Sequence, residues 1–447
     1  MNKLVGELAE RMGGVLSDNG LSMKTVTAFA LDSRNAQKDS LFLAIKGARV
    51  DGRLYIDQAM RNGAIAAVVE RETHFPSILV EDLVTSLKLM GISYRNEFFG
   101  PVVGVTGSTG KTTVKEMIAS CLGLRGKVLK SRGNQNTEYS IPLVWCEDLS
   151  LVQSAVMEMS MRGFGQIRHL ASICKPTIGV ITNIGYSHLE LVHSREGIAK
   201  AKAELFESLP SDGLAIYWHE CDFLPLLQRA FICKSACFGF DKGSDCQITS
   251  YQQFGLDGML IRGQYYGEEW EIQSTMVGRH LALGMACSIL VAGSLGIQVK
   301  DVCEILSQFD MPEMRMQIEK VNGGYVLKDY YNASPDSMQA VLNTIVESNN
   351  SGNRFAILGG MRELGDYGER AHYILGQQLA EAKMDHVICY GELMQKTVQG
   401  AQESGLQSIQ LSNDLSDAKN LVKLVSENDI LLVKGSRYYE LEKIFEP

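Results

Sequence analysis

The sequence predicts an α/β protein of three domains in which most sheets are parallel. Along most of the 447 residues, short apolar runs ending in glycine-rich or polar loops alternate with segments of helical periodicity. Buried parallel strands and their crossover helices produce this pattern. The chain is also too long for a single core. We place the domains at 1–98, 99–311 and 312–447.

The first segment indicates a small α/β unit. The runs Ser40 to Ile45 and Ile65 to Val69 are predicted strands. Between them, a helix from Tyr55 to Arg61 ends at Asn62-Gly63. A second helix, from Asp82 to Tyr94, leads to the junction with the next domain.

The central segment indicates a mostly parallel sheet of the kind found in phosphate-loop ATPases. Between Cys246 and Ile272 the pattern changes to alternating strands joined by Gly-rich turns, which predicts a small antiparallel flap. A predicted helix from Arg279 to Ser294 follows and ends the region. The predicted buried strands are Val102 to Thr106, Ala155 to Met159, Ile178 to Thr182 and Leu214 to Tyr217.

The third segment has the spacing of a Rossmann-like, doubly wound sheet. Its predicted strands are 325–328, 355–358, 386–390 and 430–434, and its predicted helices lie near 336–348, 370–383 and 415–426.

Composition excludes several classes of function. The net charge is −9 and the chain has no long basic block, so nucleic acid and anionic membranes are not expected partners. The ten cysteines are scattered, and the nearest pair, Cys233 and Cys237, has no second pair to complete a zinc site. Neither a signal peptide nor a membrane-spanning run is evident. We therefore expect a cytoplasmic protein with free thiols.

The segment GVTGSTGKTT, residues 104–113, has the form of a phosphate-binding loop. Glycines allow backbone N–H groups to point inward, while Lys111 supplies a charge and Thr112 a hydroxyl for Mg²⁺. Val105 stands where the strict Walker pattern has its first glycine. The alternative is a structural turn with a surface lysine.

Two side chains near strand ends are candidate cation ligands. Glu158 lies within an apolar run, where an unpaired carboxylate is costly, and His188 follows the strand that ends at Thr182. Ligands of open α/β sheets bind at this edge. A hydrogen-bonded core glutamate and a surface histidine are equally good explanations of these residues alone.

Lys202 lies on the apolar face of a helix that begins near Ser194. It shares that face with Ile198, Leu205 and Leu209, while Lys200, Glu204 and Glu207 mark the wet face, with a possible Lys200–Glu204 pair. Burial favours a neutral amine, which can react with CO₂ to give a metal-ligating carbamate. On helix geometry alone, a lysine that reaches solvent or pairs with a carboxylate is the favoured alternative.

The third segment carries two loops with polar side chains that follow strands. One precedes a helix for which Ser334 suits the N-cap and Pro335 the first turn. The other is Gly359 to Gly365. Both are explained equally well as functional loops or as ordinary connections.

These motifs in combination resemble the Mur ligase family, the ATP-dependent amide-bond ligases of peptidoglycan precursor synthesis. GVTGSTGKTT resembles the phosphate loop of the family. The segment around the metal-binding histidine of the family is matched by ITNIGYSHLE, and its carbamylated-lysine helix by IAKAKAELF. Its nucleotide-contacting segments are matched by VGRHLALGMACSI and by MRMQI with Asp329. The resemblance covers the whole chain, in order.

Within the family, the chain is similar to the branch that adds D-alanyl-D-alanine to UDP-N-acetylmuramoyl-tripeptide. The segments are LDSRNAQKDSLFLAIKGARVDG, GNQNTEYSIP, YYNASPDSM and ILGGMRELG. The resemblance implies an enzyme that uses ATP and two Mg²⁺ ions, with a carbamate on Lys202, to form an acyl phosphate that the dipeptide amine attacks. We expect the protein to be a monomer. Its rivals are a ligase adding the third peptide residue, a folyl- or cyanophycin-type ligase, a phosphate-loop switch or motor, and a non-catalytic scaffold.

The resemblance also implies roles for individual residues. Catalytic roles fall to Lys111, Glu158, His188 and Lys202, and metal binding to Thr112, Glu158, His188 and Lys202. The implied ATP-binding residues are Gly107, Ser108, Thr109, Gly110, Lys111, Thr112, Thr113, Asn183, Arg315 and Asp329. The implied substrate-binding residues are Asp32, Ser33, Arg34 and Lys46 for the uridine end, Asn134, Asn136 and Thr137 for the muramoyl-peptide, and Tyr331, Asn332 and Ser334 for the dipeptide.

The sequence departs from the family pattern at several positions. Gly284 stands where the adenine-side helix usually has Asn, and Lys328 replaces the first of two usual Asp residues. Ser334 replaces a usual Asn, Arg53 a usual His, and Gln166 a common Glu. None of these is an implied metal or phosphate ligand.

Overall fold

The computed structural model describes residues 1–47 and 50–446, so Ala48 and Arg49 of the first-domain motif lie outside the described residues. The described chain forms two compact units. The first comprises Met1–Gly104, Gly126–Ser160 and Gln166–Thr177, and the second comprises Val105–Arg125, Met161–Gly165 and the described residues from Ile178 onward. This division does not follow the boundaries 1–98, 99–311 and 312–447, which stay a prediction.

The N-terminal segment forms a small, mainly parallel sheet. Its strands are β1 (Lys3–Leu4), β2 (Val15–Leu16), β3 (Thr25–Val26), β4 (Ala28–Ala30), β5 (Ser40–Leu43), β6 (Ala64–Val69) and β7 (Ser77–Leu79), and its helices are α1 (Val5–Met12), α2 (Ile56–Arg61) and α3 (Leu83–Arg95). The strand order is β2-β7-β6-β5-β4, with β2 antiparallel to β7, and β1 pairs with β3. Asp82 begins α3 because its Oδ1 accepts from the Thr85 N–H at 2.8 Å.

The central segment alternates strands and helices up to a three-stranded antiparallel flap. Its strands are β8 (Val102–Thr106), β9 (Lys127–Lys130), β10 (Val152–Glu158), β11 (Ile178–Ile181), β12 (Leu214–Trp218), β13 (Lys234–Gly239), β14 (Cys246–Gln253), β15 (Met259–Tyr265) and β16 (Glu268–Ser274). Its helices are α4 (Lys111–Leu122), α5 (Ile141–Val144), α6 (Gln166–Cys174), α7 (Leu189–Val192), α8 (Arg195–Glu207), α9 (Leu224–Gln228), α10 (Arg279–Ser294) and α11 (Val299–Ser307).

The pairing of these strands confirms the prediction of a mostly parallel sheet followed by a small antiparallel flap. In the first unit, β9 and β10 are parallel. In the second, β11, β12, β13 and β14 are parallel in succession, and β15 and β16 then add antiparallel hairpins. All four residues of β11 are buried, as expected for a strand covered on both faces.

The C-terminal segment is the doubly wound sheet that the sequence predicts. Its strands are β17 (Gln317–Val321), β18 (Gly324–Asp329), β19 (Arg354–Gly359), β20 (His386–Tyr390), β21 (Ile409–Leu411) and β22 (Ile430–Lys434), and its helices are α12 (Pro335–Glu347), α13 (Gly368–Glu381), α14 (Met394–Glu403) and α15 (Leu415–Leu424). The order is β17-β18-β22-β19-β20-β21, and only β17 is antiparallel among the described strands.

Alternate residues of this sheet enter two separate cores. Leu327 and Leu358 pack with α12, α13 and α14 on one face, whereas Val326 and Ile357 pack with α15 on the other. Because both faces are covered by helices, polar side chains collect at the carboxyl ends of the strands.

Candidate active site

The turn 107–110 connects β8 to α4 and forms the centre of the site. Lys111 is the first residue of α4, and its Nζ donates to Gly107 O at 2.9 Å and to Ser108 O at 3.2 Å. Gly110, the N-cap, has a φ of 76°, which favours glycine. The backbone N–H groups of a helix N-terminus and an adjacent ammonium group are groups that can bind an anion.

Residues that follow β11 fix this turn. Thr182 Oγ1 donates to Thr109 O at 2.6 Å. The Asn183 amide accepts from Thr109 N at 3.0 Å and donates to Thr109 Oγ1 at 2.8 Å. Ser108 Oγ accepts from Gly185 N at 2.8 Å. The loop is therefore held in shape by its own neighbours, which is the preorganisation that phosphate binding requires.

Lys202 is buried beside this loop. The residue is 1% exposed, and its Nζ donates to Gly107 O at 2.9 Å. Burial, and then the charge of Lys111, hold the Lys202 pKa well below its usual range. The prediction that Lys202 points inward is confirmed, and no carboxylate of the described residues pairs with it.

The prediction that Glu204 lies on the solvent-exposed face of α8 is wrong. Glu204 is buried, and its Oε1 accepts from Gly165 N at 2.6 Å. Lys200 therefore pairs with Glu196 at 2.7 Å rather than with Glu204. A helical wheel assumes one buried stripe, whereas α8 also contacts Gly165 through Glu204.

His188 lies between β11 and α8 with its imidazole against a carboxylate. Its backbone has a left-handed φ of 63°, and its Nδ1 is 2.5 Å from Glu363 Oε2. The hydrogen bond from His188 lowers the Glu363 pKa. Glu363 belongs to the predicted polar loop Gly359 to Gly365, but its partner was not foreseen.

A second unforeseen carboxylate reaches the same loop. Asp336 Oδ2 accepts from Tyr186 N at 2.8 Å, and burial raises the Asp336 pKa. The Tyr186 ring stacks on Tyr367 with centroids 4.9 Å apart, and the Arg195 guanidinium lies 5.0 Å from the Tyr186 ring centroid.

In the first unit, Glu158 ends β10 and is 3% exposed. Its Oε1 accepts from Asn136 Nδ2 at 2.9 Å, so the structure brings a predicted metal ligand and a predicted substrate residue together. Asn134 O accepts from Asn136 N at 2.8 Å, and Thr137 Oγ1 lies 3.1 Å from Ser140 Oγ.

The predicted uridine-side residues of the first unit differ in exposure. Asp32 and Arg34 pair at 2.5 Å, and hydrogen bonds from Arg34 lower the Asp32 pKa to about 2. Ser33 is buried and donates to Gln58 Oε1 at 2.8 Å, which is a structural contact. Lys46 is exposed and forms an isolated β-bridge with Asp51.

Asp329 ends β18 and contacts a lysine that the sequence analysis missed. Lys434, at the end of β22 and 1% exposed, donates to Asp329 Oδ2 at 2.5 Å and to Asn332 O at 3.1 Å. Asp329 Oδ1 accepts from Met316 N at 3.2 Å. A lysine closing the apolar run ILLVK was the available signal, because such a residue needs a partner when buried.

The other predicted residues of this segment have local partners. The Arg315 guanidinium lies 4.1 Å from the Tyr331 ring centroid. Ser334 is the N-cap of α12, where its Oγ accepts from Ser337 N at 3.4 Å, and Pro335 is the first residue of that helix. The capping prediction for Ser334 is confirmed.

Neither a ready-made metal cluster nor a membrane helix occurs in the described residues. Within 1–47 and 50–446, no three His, Cys, Asp or Glu side chains are grouped so that they can hold a metal ion. Over the same ranges, no helix has the length and apolar character needed to cross a bilayer.

Family models match the chain in three successive segments. Residues 25–99 match the Mur ligase family catalytic domain, residues 105–292 the Mur ligase middle domain, and residues 314–437 the Mur ligase glutamate ligase domain. Together these matches cover most of the sequence.

Similar proteins span the full chain. It is 33% identical to UDP-N-acetylmuramoyl-tripeptide–D-alanyl-D-alanine ligase of Bacillus subtilis, over 99% of this chain and 98% of the relative. MurF from Acinetobacter baumannii superposes with a TM-score of 0.89 at 26% identity, covering 100% and 98% of the two chains. MurF from Thermotoga maritima, solved in complex with ADP, superposes with a TM-score of 0.82 at 29% identity, covering 94% of this chain and 96% of that structure. Because three Mur ligase models match in succession and a relative is 33% identical over the full length, the chain belongs to the Mur ligase family.

Proposed function

We propose that this chain is an ATP-dependent, ADP-forming ligase that joins D-alanyl-D-alanine to UDP-N-acetylmuramoyl-tripeptide in peptidoglycan precursor synthesis. The name of the Bacillus subtilis relative and the two MurF structures support this substrate pair. The observation that carries the proposal is the anchored phosphate loop, where Lys111 and buried Lys202 meet at Gly107 O.

The reaction proceeds in two balanced steps. An oxygen of the tripeptide carboxylate attacks the γ-phosphorus of ATP, the bond to the β-phosphate oxygen breaks, and ADP leaves with that electron pair. The dipeptide amine then attacks the acyl carbon, phosphate leaves, and the ammonium intermediate loses a proton. Carboxylate and triphosphate repel each other, so neutralising and positioning charge is the main task of the protein.

Lys111 and the turn 107–110 are suited to hold the ATP phosphates. Thr109 and Asn183 keep that turn in shape through their mutual hydrogen bonds. Arg315 and Asp329 approach the nucleotide in this proposal, as the family resemblance implies.

The donor set fits divalent cations. The Thr112 hydroxyl and the Glu158 carboxylate are proposed ligands with the hard oxygen donors that suit Mg²⁺. The His188 imidazole is a further proposed ligand, as the family resemblance implies. Glu158 is buried at the end of β10, and its Oε1 accepts from Asn136 Nδ2 at 2.9 Å. When bound, two Mg²⁺ ions would neutralise the phosphates and the acceptor carboxylate.

Lys202 is the proposed site of carbamylation. Its neutral Nζ would attack the carbon of CO₂, a proton would leave, and the resulting carbamate would be an anionic oxygen ligand. The lowered pKa of Lys202 supports this step because only the unprotonated amine reacts.

The three segments divide the remaining contacts. We assign the uridine end to Asp32, Ser33, Arg34 and Lys46, the muramoyl-peptide to Asn134, Asn136 and Thr137, and the dipeptide to Tyr331, Asn332 and Ser334. We also propose that the enzyme is a cytoplasmic monomer with domains at 1–98, 99–311 and 312–447.

Phosphate release from ATP tests the proposal. The purified protein is given Mg²⁺, bicarbonate and UDP-N-acetylmuramoyl-tripeptide, with and without D-alanyl-D-alanine, and mass spectrometry detects the product. We expect release that requires the dipeptide, together with the pentapeptide mass. ATP turnover indifferent to both substrates would reject the substrate pair, and complete inactivity would favour a non-catalytic scaffold.

A further inference from the structure

The C-terminal segment contributes a carboxylate to the imidazole of His188. Glu363 Oε2 is 2.5 Å from His188 Nδ1. The backbone of Glu363 also contacts the start of α7, because its carbonyl oxygen accepts from Glu190 N at 3.3 Å. Glu363 therefore contacts this segment twice, through its side chain at His188 and through its main chain at Glu190.

A second carboxylate holds the loop that carries His188. Asp336, in the first turn of α12, accepts from Tyr186 N at 2.8 Å. A Cβ atom at Gly185 would overlap the Asp336 carboxylate. Glycine at position 185 thus permits the close approach that this hydrogen bond needs.

The loop that carries Glu363 is itself anchored. His372 is fully buried, its Nε2 accepts from Met361 N at 3.0 Å, and its Nδ1 lies 2.7 Å from Gly368 O. These two contacts fix the tautomer with the proton on Nδ1. Glu363 is consequently presented from a supported loop rather than from a free one.

We propose that Glu363 is a positioning residue that orients His188 as a metal ligand, and that Asp336 holds the loop in which His188 lies. The proposal rests on the proposed function, which assigns His188 to a Mg²⁺ site. An imidazole that ligates through one nitrogen commonly donates its other N–H to a carboxylate, which sets the tautomer and the ring orientation. With Nδ1 facing Glu363, Nε2 is the nitrogen left for the cation.

This arrangement makes the metal site depend on residues beyond 311. Glu363 and Asp336 both belong to the segment assigned to the dipeptide, whereas His188 belongs to the segment assigned to ATP. The ligand geometry at His188 is therefore complete only when these two segments are in contact, as they are within the second unit.

Mn²⁺ binding to the full-length protein with ADP, followed by electron paramagnetic resonance, tests the proposal. Glu363→Ala should weaken binding at the His188 site by about 10- to 100-fold, the usual effect of losing such a partner. Glu363→Gln keeps an acceptor oxygen and should lose less. Asp336→Ala should weaken the same site without touching the imidazole. Glu369→Ala is the matched control, since Glu369 is exposed and, within residues 1–47 and 50–446, its ion pair is with Lys396 at 3.2 Å.

Steady-state kinetics give a second readout. The Glu363 variants should require more Mg²⁺ for half-maximal rate while KM for the UDP-linked substrate is unchanged. Wild-type Mn²⁺ affinity in both Glu363→Ala and Glu363→Gln would overturn the proposal. So would unchanged Mn²⁺ affinity in His188→Ala, although dipeptide-dependent phosphate release by the wild type would still uphold the ligase reaction. If Glu363→Ala fails to fold, Glu363→Gln alone decides.

Discussion

The ε-amino groups of Lys111 and Lys202 donate to the same atom, the carbonyl oxygen of Gly107, each at 2.9 Å. Two ammonium groups at this separation would repel each other. Burial and the charge of Lys111 both lower the Lys202 pKa, so the pair is compatible with one charged and one neutral amine. This arrangement places an amine whose charged form is disfavoured by burial beside the phosphate loop.

Replacing Lys202 should raise the stability of the protein while abolishing its ligase activity. Lys202→Met removes a buried amine that has a single hydrogen-bond acceptor and keeps a similar volume, so unfolding should cost about 1 kcal/mol more. Ligase activity should be lost. Thermal denaturation in bicarbonate-free buffer measures the first effect, and Lys200→Met, on the exposed side of α8, is the control. A Lys202→Met protein less stable than the wild type would contradict a neutral, poorly compensated amine.

The same lysine should give stability a pH dependence. Its folded pKa lies below the unfolded value of 10.5, so the unfolded chain binds more protons between these two values. Stability attributable to Lys202 should then rise with pH through that window. Urea titrations across alkaline pH should show a flatter profile for Lys202→Met than for wild type, and parallel profiles would contradict the lowered pKa.

Two glycines of the phosphate loop should respond differently to alanine. A Cβ at Gly107 would overlap Thr182 Oγ1, whereas a Cβ at Gly110 meets no neighbour within 4 Å. Gly110→Ala should cost about 1 kcal/mol for its positive φ, and Gly107→Ala about 3 kcal/mol with loss of ATP binding. Chemical denaturation and nucleotide titration check both values. Equal effects would contradict the loop packing against Thr182.

His372 should make the C-terminal segment sensitive to acid. Burial lowers its pKa below the usual 6.5, so stability should fall as pH drops below 6.5, where the unfolded chain takes up the proton first. His372→Gln keeps an acceptor for Met361 N but does not titrate, so its stability should be flatter between about pH 5 and 7. His372→Ala should cost about 1–3 kcal/mol at every pH. Equal pH slopes for wild type and His372→Gln would contradict this account.

Gly284 should not accept the asparagine usual in the family. A Cβ there would lie 3.3 Å from Met117 Sδ and 3.3 Å from Val114 Cγ2, so α10 packs closely on α4. Gly284→Asn should therefore cost about 1–3 kcal/mol, and Met117→Ala should recover part of that loss in a double-mutant cycle. Strictly additive effects would show that the two positions do not compete for space.

The periodicity of apolar residues predicted the helices and strands better than it predicted which polar side chains contact each other. The helix Arg279–Ser294 and the strands His386–Tyr390 and Ile430–Lys434 begin and end where the apolar pattern places them. The polar helix α14 and the short strand β21 were missed, because α14 has few large apolar residues and β21 has only three residues.

The candidate site was predictable only where local sequence determines it. A glycine loop between a strand and a helix identifies Lys111, and helical spacing identifies the inward side of Lys202. The partners Glu363, Asp336 and Lys434 lie far from His188, Tyr186 and Asp329 along the chain, and their pairing follows from tertiary contacts. Glu204 was misassigned for the same reason, because its acceptor role depends on Gly165.

Transfer of oxygen from the tripeptide carboxylate to phosphate tests the central claim most directly. UDP-N-acetylmuramoyl-tripeptide labelled with ¹⁸O in its terminal carboxylate is turned over with ATP and D-alanyl-D-alanine, and the released phosphate is examined by mass spectrometry. An acyl phosphate intermediate predicts one ¹⁸O atom in each phosphate formed from fully labelled carboxylate. Dipeptide-dependent turnover that releases only unlabelled phosphate would contradict carboxylate activation by ATP at this site.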